Sequence, residues 1–240
     1  MSPPVVSRPR PAPPVSVPRP APSPARLPAL AVYEEALRRA TTGLPAVLTI
    51  RDDTGDDQVL DAAGWCRVRL AGDIGLLRPC TGPTLDIGCG PGRLAGALRR
   101  DGHPALGIDI SATAVRLARR QGAAALRRDV FDHLPGIGRW RTVLLADGNI
   151  GIAGNPVRLL RRCGALLADD GRIHVEVDPP GSRTWAGHAS LRLDPGVSSA
   201  PFRWASVAVD DLAALAETAA LRTVTTWTEA GRWFASLTHG

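Results

Sequence analysis

Between residues 83 and 177, short apolar runs alternate with segments whose apolar residues recur at helical spacing. The apolar runs predict five strands, at Thr84–Ile87, Ala105–Ile108, Ala123–Leu126, Thr142–Ala146 and Ile173–Val177. The segments between them predict helices at Arg93–Arg100, Ala112–Arg120 and Pro156–Ala168. This alternation indicates an α/β fold of the doubly wound kind, with a mostly parallel sheet, right-handed crossovers and helices on both faces.

The end of the chain follows a different pattern. The stretch DDLAALAETAAL predicts one more helix. Two strand-like runs, TVTTWTE and RWFASLT, follow it and are joined by Ala230 and Gly231, which predicts a hairpin. Such a hairpin would add an antiparallel strand to an otherwise parallel sheet.

The residues before the alternating pattern form a separate region. Residues 29–82 are predicted to be an N-terminal helical cap, and residues 83–240 the main domain. The cap is predicted to contain helices at Leu30–Ala40 and Leu70–Leu77, a short strand at Val47–Ile50 and a solvated acidic loop, RDDTGDDQ. Within the main domain, residues 178–206 show no repeating pattern and predict a long irregular segment.

Composition and charge limit the class of protein. A chain of 240 residues, 44% of them hydrophobic, can bury one full core. The formal net charge is +6, but residues 1–30 contain four arginines and no acid, which leaves about +2 for the rest. A nearly neutral body argues against the broad basic surface that nucleic acids require.

Three further features concern the tail and the compartment. Half of the 22 prolines fall in residues 1–30, so residues 1–28 are predicted to be a disordered tail rich in proline and arginine. No apolar stretch is long enough to span a membrane, and the first residues lack the apolar block of a signal peptide. The cysteines show no metal-binding spacing and are predicted to be free thiols, which together favour a cytoplasmic protein.

The glycine-rich stretch LDIGCGPGRL, residues 85–94, follows the first predicted strand of the main domain. Its three glycines, Gly88, Gly90 and Gly92, allow a tight turn and a close approach of the backbone to a ligand. The helix that follows would point free N–H groups at the same place. The loop is therefore predicted to border a ligand site at the carboxyl ends of the strands.

Four acids lie at the ends of four consecutive predicted strands: Asp86, Asp109, Asp129 and Asp147. The carboxyl ends of parallel strands meet at one sheet edge, so these side chains are predicted to lie together. A dinucleotide fingerprint would require a third glycine where this chain has Arg93, and carboxylates repel a pyrophosphate. The pattern favours a nucleoside with a positively charged or zwitterionic end over a nicotinamide dinucleotide.

Together LDIGCGPG, Asp109, Asp129 and the ADGN after the fourth strand resemble the class I S-adenosylmethionine-dependent methyltransferases, from about Leu30 to the C-terminus. The resemblance implies a seven-stranded sheet whose last strand is antiparallel. It implies that Asp86, Gly88, Cys89 and Gly90 lie at the methionine part of the cofactor. Asp109 would bind the ribose, Ile110 would pack on the adenine, and Asp129 and Val130 would contact the adenine edge. Asp147 and Gly148 would close over the methionine end. Arg93 would either reach the methionine carboxylate or lie on the helix surface.

Catalytic residues are less clearly indicated than the cofactor site. Methyl transfer from a sulfonium needs an aligned acceptor and the exclusion of water, with a general base only where the acceptor loses a proton. The candidates are His188 and Asp147, with Asn149, Asn155, Asp178 and His133 as further polar residues of the loops. Asn155 is equally explained as a helix N-cap and Asp178 as a turn residue. Proline follows Asp178, where metal-dependent members of the family continue with Asp-Asn, so no metal is predicted.

The acceptor is the least determined feature. The tryptophans of residues 178–206 and the region around Tyr33 and Trp65 are predicted to hold a small, flat organic acceptor, although core packing also explains them. Two alternatives remain open: a methyltransferase that acts on RNA or protein, and an inactive scaffold that binds the cofactor or another nucleotide. The sequence leaves the oligomeric state open.

Overall fold

The computed structural model describes residues 26–240. The twelve strands are β1 (Leu48–Asp52), β2 (Asp57–Leu60), β3 (Thr84–Ile87), β4 (Ala105–Asp109), β5 (Ala125–Arg127), β6 (Trp140–Leu145), β7 (Leu167–Val177), β8 (Trp185–Leu193), β9 (Val197–Ser198), β10 (Phe202–Ser206), β11 (Leu221–Glu229) and β12 (Arg232–His239). The seven α-helices are α1 (Ala29–Thr42), α2 (Ala62–Trp65), α3 (Asp73–Leu77), α4 (Arg93–Arg100), α5 (Ala112–Arg120), α6 (Pro156–Leu166) and α7 (Val209–Thr218). A 3₁₀ segment, Asn149–Gly154, precedes α6.

Seven strands form the main sheet, in the order β11-β12-β7-β6-β3-β4-β5. The strands from β7 to β5 are parallel, and β12 is antiparallel to both β7 and β11. The predicted fold class, including the terminal hairpin, is confirmed. Helices α4 and α5 begin and end at the predicted residues, and the other predicted elements of residues 83–177 agree within a few residues, except β7, which begins six residues earlier.

The core lies along both faces of the central strands. All four residues of β3 are buried, as expected for a parallel strand covered on both sides. Its Leu85 and Ile87 join one cluster with Val143 of β6 and Ile173 of β7. The tight packing of this sheet gives the loops at its carboxyl edge a rigid support.

A second, antiparallel sheet lies outside the predicted pattern, with the order β10-β8-β1-β2 and β9 paired to β8. It corrects the prediction that residues 178–206 are irregular, because β8, β9 and β10 all fall there. Strand β8 does alternate between buried and exposed positions. Several of those positions hold glycine, alanine or serine, so the period-two pattern carries too little hydrophobic contrast to be recognised.

Two N-terminal predictions also need correction. The stretch RDDTGDDQ is a hairpin in which only residues 53–56 lie outside the strands. Arg51 and Asp57 are register partners in β1 and β2 and also form an ion pair. Leu27, placed in the predicted tail, donates its N–H to the Ser198 carbonyl over 3.2 Å and accepts a bond from the Ala200 N–H over 2.7 Å. Residues 1–25 of that tail lie outside the described residues.

Among residues 26–240, the helices are all too short or too polar to cross a membrane.

Candidate cofactor and acceptor site

A cavity of about 610 Å³ lies between the carboxyl edge of the main sheet and the second sheet. This volume is within the range of about 300–1,000 Å³ that is typical of small-molecule sites. All ten residues predicted to contact the cofactor line it: Asp86, Gly88, Cys89, Gly90, Asp109, Ile110, Asp129, Val130, Asp147 and Gly148. Residues spread over about 60 positions of the sequence thus share one wall because their strands end at the same edge.

The glycine loop brings bare backbone to the cavity at Gly90. Its φ of +52° is in the left-handed region, which favours glycine. A Cβ at this position would meet only the Tyr33 hydroxyl, at 3.3 Å, so the space above the loop is open. The Gly90 N–H donates to an Asp109 oxygen over 3.0 Å. The loop is therefore shaped for close approach of a ligand.

Asp109 is buried and held rigidly at the end of β4. One carboxylate oxygen accepts from Gly90, and the other accepts from the Ser111 N–H over 2.7 Å. Burial raises the pKa of Asp109, and these two N–H donors oppose the shift. Each carboxylate oxygen has a second lone pair, so the group can still accept bonds from a pair of hydroxyls.

Helix α1 closes the same end of the cavity, as predicted for the region around Tyr33, and its Glu34 makes contacts that the sequence did not indicate. Glu34 accepts a bond from the Ser111 hydroxyl over 2.7 Å and one from the Thr113 N–H over 3.2 Å. Tyr33 lines the cavity and packs edge-on against Trp65, with ring centroids 6.0 Å apart. The helical spacing predicted α1 itself, but the partners of Glu34 are almost 80 residues away in sequence.

Asp147 belongs to a buried network of two arginines and three acids. Arg93 contacts both Asp73 and Asp147. Arg232 bonds Asp73 over 2.9 Å, Asp147 over 3.1 Å and Glu176 over 2.7 and 2.8 Å. The Asp147 N–H also donates to Glu176, over 2.6 Å. This network joins α3, α4 and the ends of β6, β7 and β12.

The network corrects the predictions for Arg93 and bears on the role of Asp147. Arg93 is only 3% exposed, so it does not lie on the helix surface, and its two terminal nitrogens are held by Asp73 and Asp147. Burial raises the pKa of Asp147, and Arg93 opposes that shift. Because both Asp147 oxygens face guanidinium groups, the network positions the loop after β6 and leaves Asp147 poorly placed to accept a substrate proton.

His188 is not part of the cavity. It lies on an exposed position of β8, and its backbone N–H donates to Asp53 over 3.2 Å. Alternation along β8 turns Ala189 and Leu191 inward and His188 outward. His133 is also exposed and away from the cavity lining. The prediction of His188 as a catalytic candidate therefore lacks structural support.

The remaining polar candidates divide into two groups. Asn155 is the predicted N-cap of α6, since its side chain accepts from the Arg158 N–H over 2.9 Å. Asn149 lines the cavity and donates to the Ile87 and Gly88 carbonyls over 2.9 and 3.0 Å, which ties the glycine loop to the 3₁₀ segment. Asp178 lines the cavity at the end of β7.

The second sheet supplies an apolar and aromatic wall opposite the acids. Its contributors include Leu48, Ile50, Leu60, Leu191, Phe202 and Trp204, joined by Tyr33 and Trp65 from the helices. Phe202 and Trp204 pack edge-on, with ring centroids 5.9 Å apart. Of the two tryptophans in residues 178–206, Trp204 lines this cavity and Trp185 lines a smaller neighbouring one, so the structure is consistent with the prediction for Trp204 alone. The sheet that carries both was missed.

The stability of the protein is expected to fall as pH rises, because of Asp86. Burial raises the pKa of Asp86 from 3.8 to about 7, opposed by the Ala95 N–H that its carboxylate accepts. The stabilisation from the retained proton is fully present below pH 4 and is lost as pH rises through 7. In Asp86→Asn this loss should disappear. The Tm of the wild type should therefore fall relative to that of the variant as pH rises from 5 to 8. Parallel pH profiles would contradict the assignment.

Comparison with known proteins agrees with this geometry. Residues 84–171 match a family model described as a methyltransferase domain. A SAM-dependent methyltransferase from Bacteroides fragilis, solved with S-adenosyl-L-homocysteine, is 23% identical with a TM-score of 0.71, covering 90% of this chain and 98% of that one. The CcbJ methyltransferase from Streptomyces caelestis is 16% identical with a TM-score of 0.54, covering 70% and 92%.

A third similar structure is an O-methyltransferase from neocarzinostatin biosynthesis, solved with S-adenosyl-L-homocysteine and 1,4-dihydroxy-2-naphthoic acid. It is 19% identical with a TM-score of 0.50 and covers 66% of this chain and 49% of that one. Curated protein sequences contain no match. Residues 84–171 are thus similar to a methyltransferase domain. The fold of the described residues is the one found in solved S-adenosylmethionine-dependent methyltransferases.

Proposed function

We propose that this protein is an S-adenosylmethionine-dependent methyltransferase that methylates a small organic acceptor held between the two sheets. The observation that carries the proposal is the composition of a single cavity, which has the glycine loop and acids at one side and the apolar wall of the second sheet at the other. A lone cofactor would not need the second wall. The second sheet also covers the main-sheet edge, which limits the size of an acceptor that can reach it.

The residues of the first side fit the cofactor in charge and hydrogen bonding. We propose that Asp109 binds the ribose hydroxyls, because its rigid carboxylate keeps free lone pairs toward the cavity. Ile110 is half exposed beside it and offers an apolar surface to the adenine. Asp129 and the Val130 N–H are assigned to the adenine edge, and the bare backbone at Gly88 and Gly90 to the methionine part.

The chain itself has a modest chemical task. When bound, the cofactor supplies a methyl group already activated by its sulfonium. The protein must then align an acceptor and exclude water, and proximity of this kind contributes several kcal/mol to catalysis. Tyr33, Trp65 and Trp204 lie where they can shield the reacting atoms from solvent.

The alternatives differ from this proposal in observable ways. An RNA or protein substrate needs an open surface, whereas this cavity lies beneath a sheet. One structural neighbour, the enzyme of neocarzinostatin biosynthesis, was solved with a small aromatic acid, which favours a small acceptor here. An inactive scaffold would bind the cofactor without turnover.

Calorimetric titration with S-adenosylmethionine, S-adenosylhomocysteine and NAD tests the cofactor assignment. The variant Asp109→Ala tests the proposed contact between Asp109 and the ribose. The variant loses charge-assisted hydrogen bonds, so its binding free energy for S-adenosylhomocysteine should weaken by about 1–3 kcal/mol. This corresponds to a rise in Kd of roughly 5- to 150-fold. The control is Asp132→Ala, an exposed acid outside the cavity lining, which should change the Kd by less than about twofold. An unchanged Kd in Asp109→Ala would refute the ribose contact.

Binding of NAD in place of both sulfur ligands would refute the proposed function. Tight binding of S-adenosylhomocysteine without methylation of any small acceptor would instead favour the scaffold.

A further inference from the structure

The charged groups of the cavity are unevenly balanced. Seven acids and three arginines line it. The acids are Asp61, Asp86, Asp109, Asp129, Asp147, Glu176 and Asp178. Of the arginines, Arg93 is taken up by Asp73 and Asp147, while Arg128 and Arg203 are exposed. Asp147 and Glu176 are paired with Arg93 or Arg232, and Asp86 retains its proton to about pH 7, so the negative field of the cavity comes from the other four acids.

Asp178 differs from the other acids near the second sheet. Glu176, two residues earlier, is neutralised by Arg232. Asp61 caps α2 by accepting from the Gly64 N–H over 2.7 Å. Asp178 has no arginine or histidine within ion-pair distance among residues 26–240, and it is only partly buried. Burial raises the pKa of Asp178, and the nearby Ser206 hydroxyl opposes the shift.

The backbone holds Asp178 on a rigid support. Its N–H donates to the Val207 carbonyl over 2.8 Å, and its carbonyl accepts from the Val209 N–H over 3.0 Å. These two bonds join the end of β7 to the start of α7. Asp178 therefore lines the cavity from a fixed backbone position.

A second cavity, of about 350 Å³, continues the negative field beyond Asp178. Both cavities share Ile50, Gln58, Asp178, Trp204 and Ser206 in their linings. The second also contains Asp52, Asp56 and Asp57. Arg183 pairs with Asp52 and Asp56, and Arg51 pairs with Asp57, which leaves one acid in excess of these cations. The second cavity thus adds a small negative charge beside Asp178.

This field discriminates between acceptor chemistries. A phenol or carboxylic acid reacts as an anion, and an unpaired carboxylate a few ångströms away disfavours that anion. An amine reacts through a neutral nitrogen that becomes positively charged in the transition state, and a carboxylate stabilises that charge. The aromatic wall adds cation–π and apolar contacts for the rest of such a molecule.

We propose, on the basis of the proposed function, that the acceptor is a small amine with an apolar or aromatic body, and that its nitrogen faces Asp178. The bound ammonium first gives one proton to the Asp178 carboxylate, which passes it to water. The freed nitrogen lone pair then forms the new N–C bond while the C–S bond of the donor breaks and its electron pair remains on sulfur. The product is the methylated ammonium ion, so one proton is released for each methyl group transferred. Charge and atoms balance without any further reactant.

Ligand-observed NMR on protein saturated with S-adenosylhomocysteine tests the proposal. The compounds are matched triples in which one aromatic body carries an amine, a hydroxyl or a carboxylate. The simplest triple is 2-phenylethylamine, 2-phenylethanol and 3-phenylpropanoate. Amines should bind at least about tenfold more tightly than the matched carboxylates, which corresponds to about 1.4 kcal/mol.

Asp178→Asn should remove most of that preference while its Kd for S-adenosylhomocysteine stays within about twofold, which shows that the variant is folded. Asp101→Asn, a change of the same charge at an exposed position, should keep the preference. With S-adenosylmethionine, mass spectrometry should find the methyl group on nitrogen.

Three results would overturn the proposal: equal or tighter binding of the carboxylates, no binding by any triple, or an amine preference that Asp178→Asn leaves intact. Failure of S-adenosylhomocysteine itself to bind would overturn the proposed function instead, so the two failures are distinguishable.

Discussion

Replacing Arg93 with methionine is expected to lower the free energy of unfolding by about 3–5 kcal/mol. Arg93 is 3% exposed, and its partner Asp73 is 1% exposed. The substitution keeps an unbranched side chain but leaves Asp73 and Asp147 with Arg232 as their shared cation. Three buried or half-buried carboxylates would then face one guanidinium, and desolvated charges without partners are costly.

Urea unfolding monitored by tryptophan fluorescence measures this loss. The matched control is Arg141→Met, because the Arg141–Asp170 pair is solvent-exposed on both sides. Exposed pairs contribute about 0.2–1 kcal/mol, so the control should unfold at nearly the wild-type midpoint. A similar small effect in both variants would mean that the buried network contributes little to stability.

Replacing Gly92 with alanine is expected to destabilise the fold by about 2–5 kcal/mol, through two effects. Gly92 has a φ of +87°, which costs an L-residue about 1–2 kcal/mol. In addition, the new Cβ would lie 2.7 Å from the Cβ and 2.8 Å from the Cα of Ala118, which is fully buried in α5. Overpacking of this kind costs about 1–3 kcal/mol, because neither helix can move freely.

Gly102→Ala separates the two effects. Gly102 has a similar φ of +81°, but a Cβ there would meet nothing within 4 Å. It should therefore lose only the backbone part, about 1–2 kcal/mol. Thermal or urea unfolding of both variants measures the difference. If Gly102→Ala were as damaging as Gly92→Ala, the close contact with α5 would not be the cause.

The features predicted well from sequence are those whose cause is local. Strand β3 and helices α4 and α5 begin and end where the apolar spacing placed them. The cofactor side of the cavity was also predictable, because one rule of parallel sheets brings the ends of consecutive strands together. Once β3, β4 and β6 were assigned, Asp86, Asp109 and Asp147 had to lie on one edge.

The features missed depend on contacts between distant segments. Strand β8 pairs with β1, about 140 residues earlier, and its small residues hide the alternation that would have revealed it. Arg93 looked like a helix residue at the surface or beside a ligand because its partner Asp73 comes from α3. His188 was misjudged for the same reason, since its orientation depends on a strand that was not predicted.

By itself, the amino-acid sequence determined the α/β architecture, the glycine loop and the row of acids, because periodicity and chain order are enough to specify them. The tertiary structure alone decided that Arg93 and Arg232 neutralise Asp147 and Glu176, that the second sheet forms the far wall, and that Asp178 is left without a cation. The physical reason is that the electrostatic environment of a side chain depends on which groups lie near it in space, and folding brings those groups from segments far apart in the chain.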